Sequence, residues 1–297
     1  MNSHKTTTAH PVLFDLSADL APTASDAGDS WWFASRLRDD DGDIYWTKTH
    51  VIQMGESYVS TVSVLRDSDR RADERHTAEP AAEVKAAADR LDVQTSLLDM
   101  SGGPDKFTTS GATDDAAFRL TLRRTEPALY NGGSGVFPFL GGRTGQLSLP
   151  GLAATGTITI DGVERNVKGR TWFDRQWIAG PADPPRFLWF GLDLGDGRYL
   201  SVWDTTGDGV SWLTALKPDG THVITGAQRT AHEGGYLLAI PDLEASLEIT
   251  YRRLDATEGD STNVCTVAGT FAGREVTGHG YHDIVGASGP ETARHHA

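Results

Sequence analysis

Trp32-Phe33-Ala34-Ser35-Arg36-Leu37 runs into an Asp-Gly turn, and Trp189-Phe190-Gly191-Leu192-Asp193-Leu194 runs into another 157 positions later (189 minus 32). Both stretches open on the same Trp-Phe pair, read as strands, and end in turn chemistry. In the first copy Asp39-Asp40-Asp41-Gly42-Asp43 joins strands over residues 31–38 and 44–52; in the second Gly195-Asp196-Gly197 joins strands over 186–194 and 198–205. Glycine supplies the positive φ that such tight turns need. The chain therefore reads as duplicated, each half containing an aromatic hairpin.

Working outward, β-rich runs recur at 58–65, 91–98, 107–110, 118–124, 156–160 and 165–169, then from 210 to 285. Helical periodicity is scarce and 33 glycines punctuate the sequence. Meanders of this length predict an all-β protein of two antiparallel barrels, each of roughly eight to ten strands, which removes exposed edges and encloses space for a ligand. The domain reading is a tail and lead-in over 1–30, a first domain over 31–150, a second over 151–286 and a disordered tail over 287–297. One stretch differs. Residues 66–90 are charged and alanine-rich, and Pro80-Ala81-Ala82-Glu83-Val84-Lys85-Ala86-Ala87-Ala88 predicts a short helix with proline in its first turn.

The net charge of −14, from 27 basic and 41 acidic residues, argues against nucleic acid or an anionic membrane as partner, since both require a basic face. Cys265 is the single cysteine, so neither an intramolecular disulfide framework nor a thiolate zinc site is available. The first ten residues carry no secretory apolar run, and no stretch approaches a transmembrane helix. A soluble, cytoplasmic protein without membrane insertion is expected, and a homodimer is compatible with that reading. No Gly-x-Ser-x-Gly elbow, His-Glu-x-x-His motif or dinucleotide fingerprint occurs, and no lysine follows Asn131-Gly132-Gly133-Ser134-Gly135 in phosphate-loop position.

The densest chemistry lies in Thr171-Trp172-Phe173-Asp174-Arg175-Gln176-Trp177. In an extended segment Trp172, Asp174 and Gln176 share one face while Phe173, Arg175 and Trp177 share the other. Asp174 and Arg175 therefore do not simply neutralise each other. A carboxyl among indole rings is partly desolvated, which raises its pKa toward the range of a proton donor at neutral pH. The competing use of Asp174 is structural, as the partner of a distant arginine or the cap of a turn. Near the end, His279, Tyr281 and Asp283 share a strand face that His282 does not, so the two histidines are poorly placed to chelate one metal.

These residues carry a family resemblance. Gly156-Thr157-Ile158-Thr159-Ile160-Asp161-Gly162, then Val167-Lys168-Gly169-Arg170 leading into Thr171–Trp177, resembles the carotenoid hydratase (hydroxyneurosporene synthase, AttH-like) superfamily. Trp31-Trp32-Phe33, Gln146-Leu147-Ser148-Leu149-Pro150 and Gly278-His279-Gly280-Tyr281-His282-Asp283 support it, over roughly 31–286. The resemblance implies two packed lipocalin-like barrels, a hydrophobic pocket within or between them, hydratase or cyclase chemistry and no redox cofactor. The closing motif of the family usually carries glutamate where this chain has Asp283, and residues 66–90 match nothing in it.

Two reactions fit an aromatic cavity for a hydrophobic small molecule. The leading expectation is a cofactor-independent [4+2] cyclisation of a polyene or polyketide-like substrate, held folded so that ordering entropy is lost on binding. The alternative is protonation of an alkene by Asp174, with hydration or isomerisation of the cation against aromatic faces. A carrier without chemistry is the third reading. Asp174, Gln176 and Tyr281 are the candidate catalytic residues. Trp32, Tyr130, Trp172, Trp177, Trp189, Trp203 and Asp283 are candidate substrate contacts, against the alternative that the tryptophans are core packing.

Overall fold

The computed structural model describes residues 12–23, 28–68, 71–179, 186–205, 210–257 and 260–286. The tail expected over 287–297 and the first eleven residues lie outside that set. The first body is a sheet of thirteen strands. β1 (Gly28–Asp39), β2 (Ile44–Met54), β3 (Ser57–Arg66) and β4 (Arg71–Pro80) form one meander. β5 (Lys85–Ala86), β6 (Leu91–Gln94), β7 (Leu98–Gly103), β8 (Lys106–Ala112) and β9 (Ala116–Arg124) form another. The short β10 (Leu129–Tyr130) and β11 (Val136–Phe139) lead into a long hairpin, β12 (Gly142–Ile160) and β13 (Val163–Ala179). That hairpin joins the two meanders, because β13 pairs with β1 and β12 with β9.

The sheet curls until β2 meets β8, where the Thr49 and Thr109 hydroxyls bond at 2.8 Å across the interior. Gly111 on β8 permits this approach, since a Cβ there would stand 2.8 Å from a Val62 methyl. Phe33, Phe107 and Phe173 fill the enclosed side, with ring centroids 4.4 to 5.7 Å apart. Arg175 lies on this inner side too, fully buried, over Trp31 and ion-paired with Asp29. Its guanidinium also donates to the Asp19 and Ala21 carbonyls, which fastens the lead-in segment.

The second body is a closed barrel of β14 (Phe187–Asp193), β15 (Tyr199–Asp204), β16 (Val210–Leu216), β17 (His222–His232), β18 (Gly235–Ile240), β19 (Ala245–Thr257), β20 (Asp260–Phe271) and β21 (Arg274–Val285). Its interior is packed with Phe190, Leu200, Leu213, Leu238, Ile249 and Val267. His282 joins them, stacked on Phe190 at 4.2 Å. The all-β, two-body lipocalin-like architecture is the one the sequence implies.

Three expectations change. The first body is a curled sheet of thirteen strands with β4 and β5 at its edges, where a closed barrel of eight to ten strands is expected. The division between the bodies falls between Ala179 and Phe187, so residues 151–179, assigned from sequence to the second domain, are paired into the first sheet. The helix expected over 80–88 is absent. Arg71–Pro80 is an edge strand bonded along the whole of β3, and a single 3₁₀ turn at Ala81–Glu83 follows. A helix so short is marginal alone, and sheet pairing outweighs alanine propensity.

The bodies meet through a third apolar cluster containing Trp32, Trp46, Trp172, Trp189, Trp203 and Tyr281. Polar ties cross the same seam. Lys48 Nζ pairs with Asp255 Oδ2 at 2.6 Å and donates to Thr262 Oγ1 at 2.9 Å, while the Ser63 hydroxyl donates to Asp255 at 2.6 Å.

Candidate active site at the domain seam

Strand alternation places the site. On β13 Trp172 and Asp174 face the seam, and the register sets Asp174 opposite Trp32 of β1 on one side and Ser148 of β12 on the other. Trp172 Nε1 donates to Asp174 Oδ1 at 2.8 Å and Gln146 Nε2 donates to Oδ2 at 3.2 Å. Burial pushes the carboxyl up to about 7, against the hydrogen bonds of Ser148, Trp172 and Gln146 and with help from the negative charge of Asp283. Desolvation is the largest effect, and the groups that act most strongly beside it are neutral donors and a second acid.

The closed barrel supplies the opposite wall. On β14 Trp189 faces the seam, and its register partner on β21 is Asp283. Trp32 meets Trp189 at 5.6 Å and Tyr281 at 5.1 Å, both edge to face, and Trp172 meets Trp189 at 5.8 Å. Trp203 lies 6.4 Å from Trp189, whose Nε1 donates to Ser201 Oγ at 3.0 Å. Burial raises Asp283 to about 6, with Lys48 and Thr262 acting in the opposite direction. Burial likewise holds the Tyr281 phenol well above its ordinary range, as a neutral hydroxyl.

This seam holds several buried polar atoms with no hydrogen-bond partner among the described residues: Trp32 Nε1, Trp203 Nε1, Gln146 Oε1 and Asp283 Oδ1. Leaving each unsatisfied costs on the order of 1–3 kcal/mol, so their clustering marks a place built to receive polar groups from water or ligand. An open cavity of about 410 Å³ lies at one mouth of the seam, bounded by Arg36, Arg170, Asp193 and His279. A crevice of about 10 Å³ beside Pro150, Trp172 and Tyr281 leads from the same residues toward the aromatic cluster. The β12 register shifts between Leu149 and Leu152, a bulge that turns Pro150 toward this crevice.

Of the residues selected from sequence, Asp174, Tyr281, Trp32, Trp172, Trp189, Trp203 and Asp283 come together here. Three do not. Gln176 shares the strand face of Asp174 but donates to Thr144 Oγ1 at 3.1 Å, farther along the strand. Trp177 points to the other face, stacked on Phe14 at 6.5 Å and over Gly145. Tyr130 packs against His222, which accepts its backbone N–H at 3.0 Å. Gln146, Ser148, Lys48 and Thr262 join the seam residues, and no local sequence signal singles them out. Ser148 lies inside a quoted family segment, yet only the pairing of β12 with β13 brings it to Asp174. Among the described residues no group of three or more histidine, cysteine, aspartate or glutamate side chains is placed to hold a metal. No helix among them is long and apolar enough to cross a membrane.

The AttH-like family model matches residues 10–228. The chain belongs to the AttH-like family. Within that family's range lie the hairpin of Trp32, the Trp172–Trp177 motif and Trp189. The chain is 24% identical to the dehydratase asqC of Emericella nidulans, over 93% of this chain and 89% of that protein. It is 26% identical to the kievitone hydratase of Fusarium solani subsp. phaseoli, over 65% of this chain and 56% of that protein. Among solved structures, kievitone hydratase from Nectria haematococca superposes with a TM-score of 0.83 at 19% identity, covering 95% of both chains. A putative AttH from Nitrosomonas europaea superposes at 0.78 with 15% identity, covering 94% of this chain and all of the other. These two likenesses concern the AttH-like fold.

Proposed function

We propose that this protein is a hydro-lyase, adding water to or removing it from a carbon–carbon double bond of a hydrophobic substrate held in the domain seam. The observation that carries the reading is Asp174, a buried carboxyl raised to about 7 and flanked by indole rings. In the hydration direction the Asp174 O–H gives its proton to one alkene carbon, leaving a cation on the other. The faces of Trp32, Trp172 and Trp189 stabilise that cation. Water bonds to it, and the second proton of that water passes to the Asp283 carboxylate. Dehydration is the same path reversed. Two carboxyls whose surroundings separate their pKa values suit the two roles, the higher as acid and the lower as base. The open cavity stops short of Trp172 and Tyr281, and this reading requires these rings to part to admit substrate.

The names of both curated relatives describe adding or removing water, which supports this reading over the [4+2] cyclisation expected from sequence. Cyclisation also makes no use of the raised carboxyl. The deciding experiment replaces Asp174 by asparagine and follows substrate and product by mass spectrometry, where hydration adds one water. Loss of turnover with ligand binding retained supports acid catalysis. Unchanged turnover removes Asp174 from the mechanism, and a ligand returned unaltered by the unmodified protein indicates a carrier.

A further inference from the structure

The cavity at the seam mouth is bordered by an arrangement that costs stability. β1 and β13 pair Arg36 with Arg170 and Arg38 with Lys168, so two like-charged pairs stand directly opposite one another on one sheet face. Such pairs are destabilising in a sheet, and opposite charges are the usual choice. The cavity wall carries these four cations against Asp193 and Asp196, a balance of +2 (4 minus 2) in a chain of net charge −14. Asp193 feels Arg36 and Arg170, which act against the burial that raises its carboxyl, and Asp196 is occupied elsewhere. Asp196 pairs with Arg198 at 3.2 Å, and Asp193 accepts the Gly195 N–H at 2.8 Å.

The cations are loosely held. Arg170 Nη1 reaches Tyr199 Oη at 3.4 Å and Glu126 Oε1 at 3.5 Å, and Arg38 Nη1 reaches the Gly42 carbonyl at 3.3 Å, all at the long limit of a hydrogen bond. The Arg36 guanidinium rests on Trp46 at 5.5 Å, within the field of the Asp67 and Asp193 carboxyls. His279, beside them, is pushed down to about 4 by burial and by Arg36 and Arg170, so it sits in the wall as a neutral ring.

We propose that this cavity binds the carboxylate end of an otherwise apolar substrate, with Arg36 and Arg170 as its principal partners. The proposal rests on the hydro-lyase reading for the direction of the chain: the apolar body runs from the mouth past Tyr199, Trp172 and Tyr281 toward Asp174. Arg170 and Asp174 lie on one face of β13, four residues apart, so carboxylate and reacting alkene are separated by about 13 Å. Arginine forks suit this role because they grip a carboxylate through two parallel hydrogen bonds.

The test uses cis-parinaric acid, a fluorescent polyene carboxylate, and its methyl ester, titrated into the full-length protein. The acid is expected to bind roughly ten- to hundredfold more tightly than the ester, as charge-assisted hydrogen bonds give. Added salt weakens the acid and leaves the ester unchanged. In the double variant Arg36→Gln/Arg170→Gln, checked for folding by circular dichroism, the preference disappears while ester binding stays. Equal binding of acid and ester to the unmodified protein, a preference surviving in the double variant, or failure of both probes to bind overturns the proposal. Because these readouts need no turnover, they are separate from the fate of Asp174: Asp174→Asn keeps the acid preference even where it abolishes hydration, and active Asp174→Asn would overturn the hydro-lyase mechanism alone.

Discussion

Asp174 and Asp283 occupy equivalent positions in the two halves of the molecule. Asp174 is the register partner of Trp32 on β1, and Asp283 is the register partner of Trp189 on β14, the two tryptophans of the repeated hairpin. The pairs face each other, Trp32 against Trp189 at 5.6 Å, and the charge of Asp283 raises the pKa of Asp174. The repeated hairpin therefore does more than open two sheets. It brings two copies of one tryptophan–carboxylate pair to a shared, buried seam, where their different neighbours separate them: the cation of Lys48 and the hydroxyl of Thr262 favour the ionised form of Asp283, and the neutral donors Ser148, Trp172 and Gln146 that of Asp174.

That relationship fixes a pH profile. Hydration requires Asp174 protonated and Asp283 ionised, so kcat/KM rises as pH passes about 6 and falls as it passes about 7. The two limbs belong to the coupled pair. Asp283→Asn removes the neighbouring negative charge, so the Asp174 pKa drops, the alkaline limb moves to lower pH and the acid limb is lost. A profile in which Asp283→Asn retains both limbs unmoved would exclude the second carboxyl from catalysis.

Stability and catalysis favour different residues at position 174. The Asp174 pKa is higher in the folded protein than its ordinary 3.8, so its contribution is fully present below that value and is lost as pH rises through about 7. Asparagine carries no such penalty. In urea unfolding at alkaline pH, Asp174→Asn is expected to be more stable than the parent by on the order of 2–4 kcal/mol, with the gain vanishing near the ordinary carboxyl range. A uniform gain at all pH values would point to packing as its source.

Much of the seam chemistry was legible from local pattern, and what was not depends on long-range pairing. Strand alternation alone separates Asp174 from Arg175, and the structure puts the first in the seam and the second in the inner core beside Asp29. The paired Asp-Gly turns locate the hairpins, including Asp161-Gly162, where both residues take positive φ. The domain assignment of Asp174 is another matter. β13 follows β12 in sequence but pairs on its other side with β1, about 140 residues away, and no local signal encodes that choice. Residue type alone points to Trp177 and Tyr130, because it cannot tell an aromatic ring of the core from one of a site. Lys48 sits in an ordinary alternating strand, and its role exists only because Asp255 and Thr262 come from the other body.

The Lys48–Asp255 pair is expected to behave as a buried ion pair. Lys48→Met leaves a carboxylate in the seam with the Ser63 hydroxyl as its remaining close donor, at a cost of about 3–5 kcal/mol in unfolding free energy. Lys48→Met/Asp255→Leu recovers most of that loss, because an apolar pair avoids the desolvation of both ions. The single variant also removes the cation that opposes burial at Asp283, so the acid limb of the pH profile moves upward. A double variant as unstable as the single one would mean that the seam is held by something other than this pair.

The most specific test of site geometry is a single methyl group. Gly191 on β14 lies where a Cβ would stand 2.5 and 2.8 Å from ring atoms of Trp189 and 3.1 Å from Trp172. Gly191→Ala therefore pushes both indoles, and the Trp172 N–H that holds Asp174 at 2.8 Å moves with its ring. Overpacking of this kind costs about 1–3 kcal/mol of stability. Displacing a catalytic group by about 1 Å costs roughly a hundredfold in rate, so activity should fall far more than folding does. Gly226→Ala on β17 is the matched control, since its added Cβ meets nothing closer than 3.9 Å. Should Gly191→Ala retain full kcat while losing the same stability, the Trp172–Asp174 hydrogen bond would be a support of the fold and not of the chemistry.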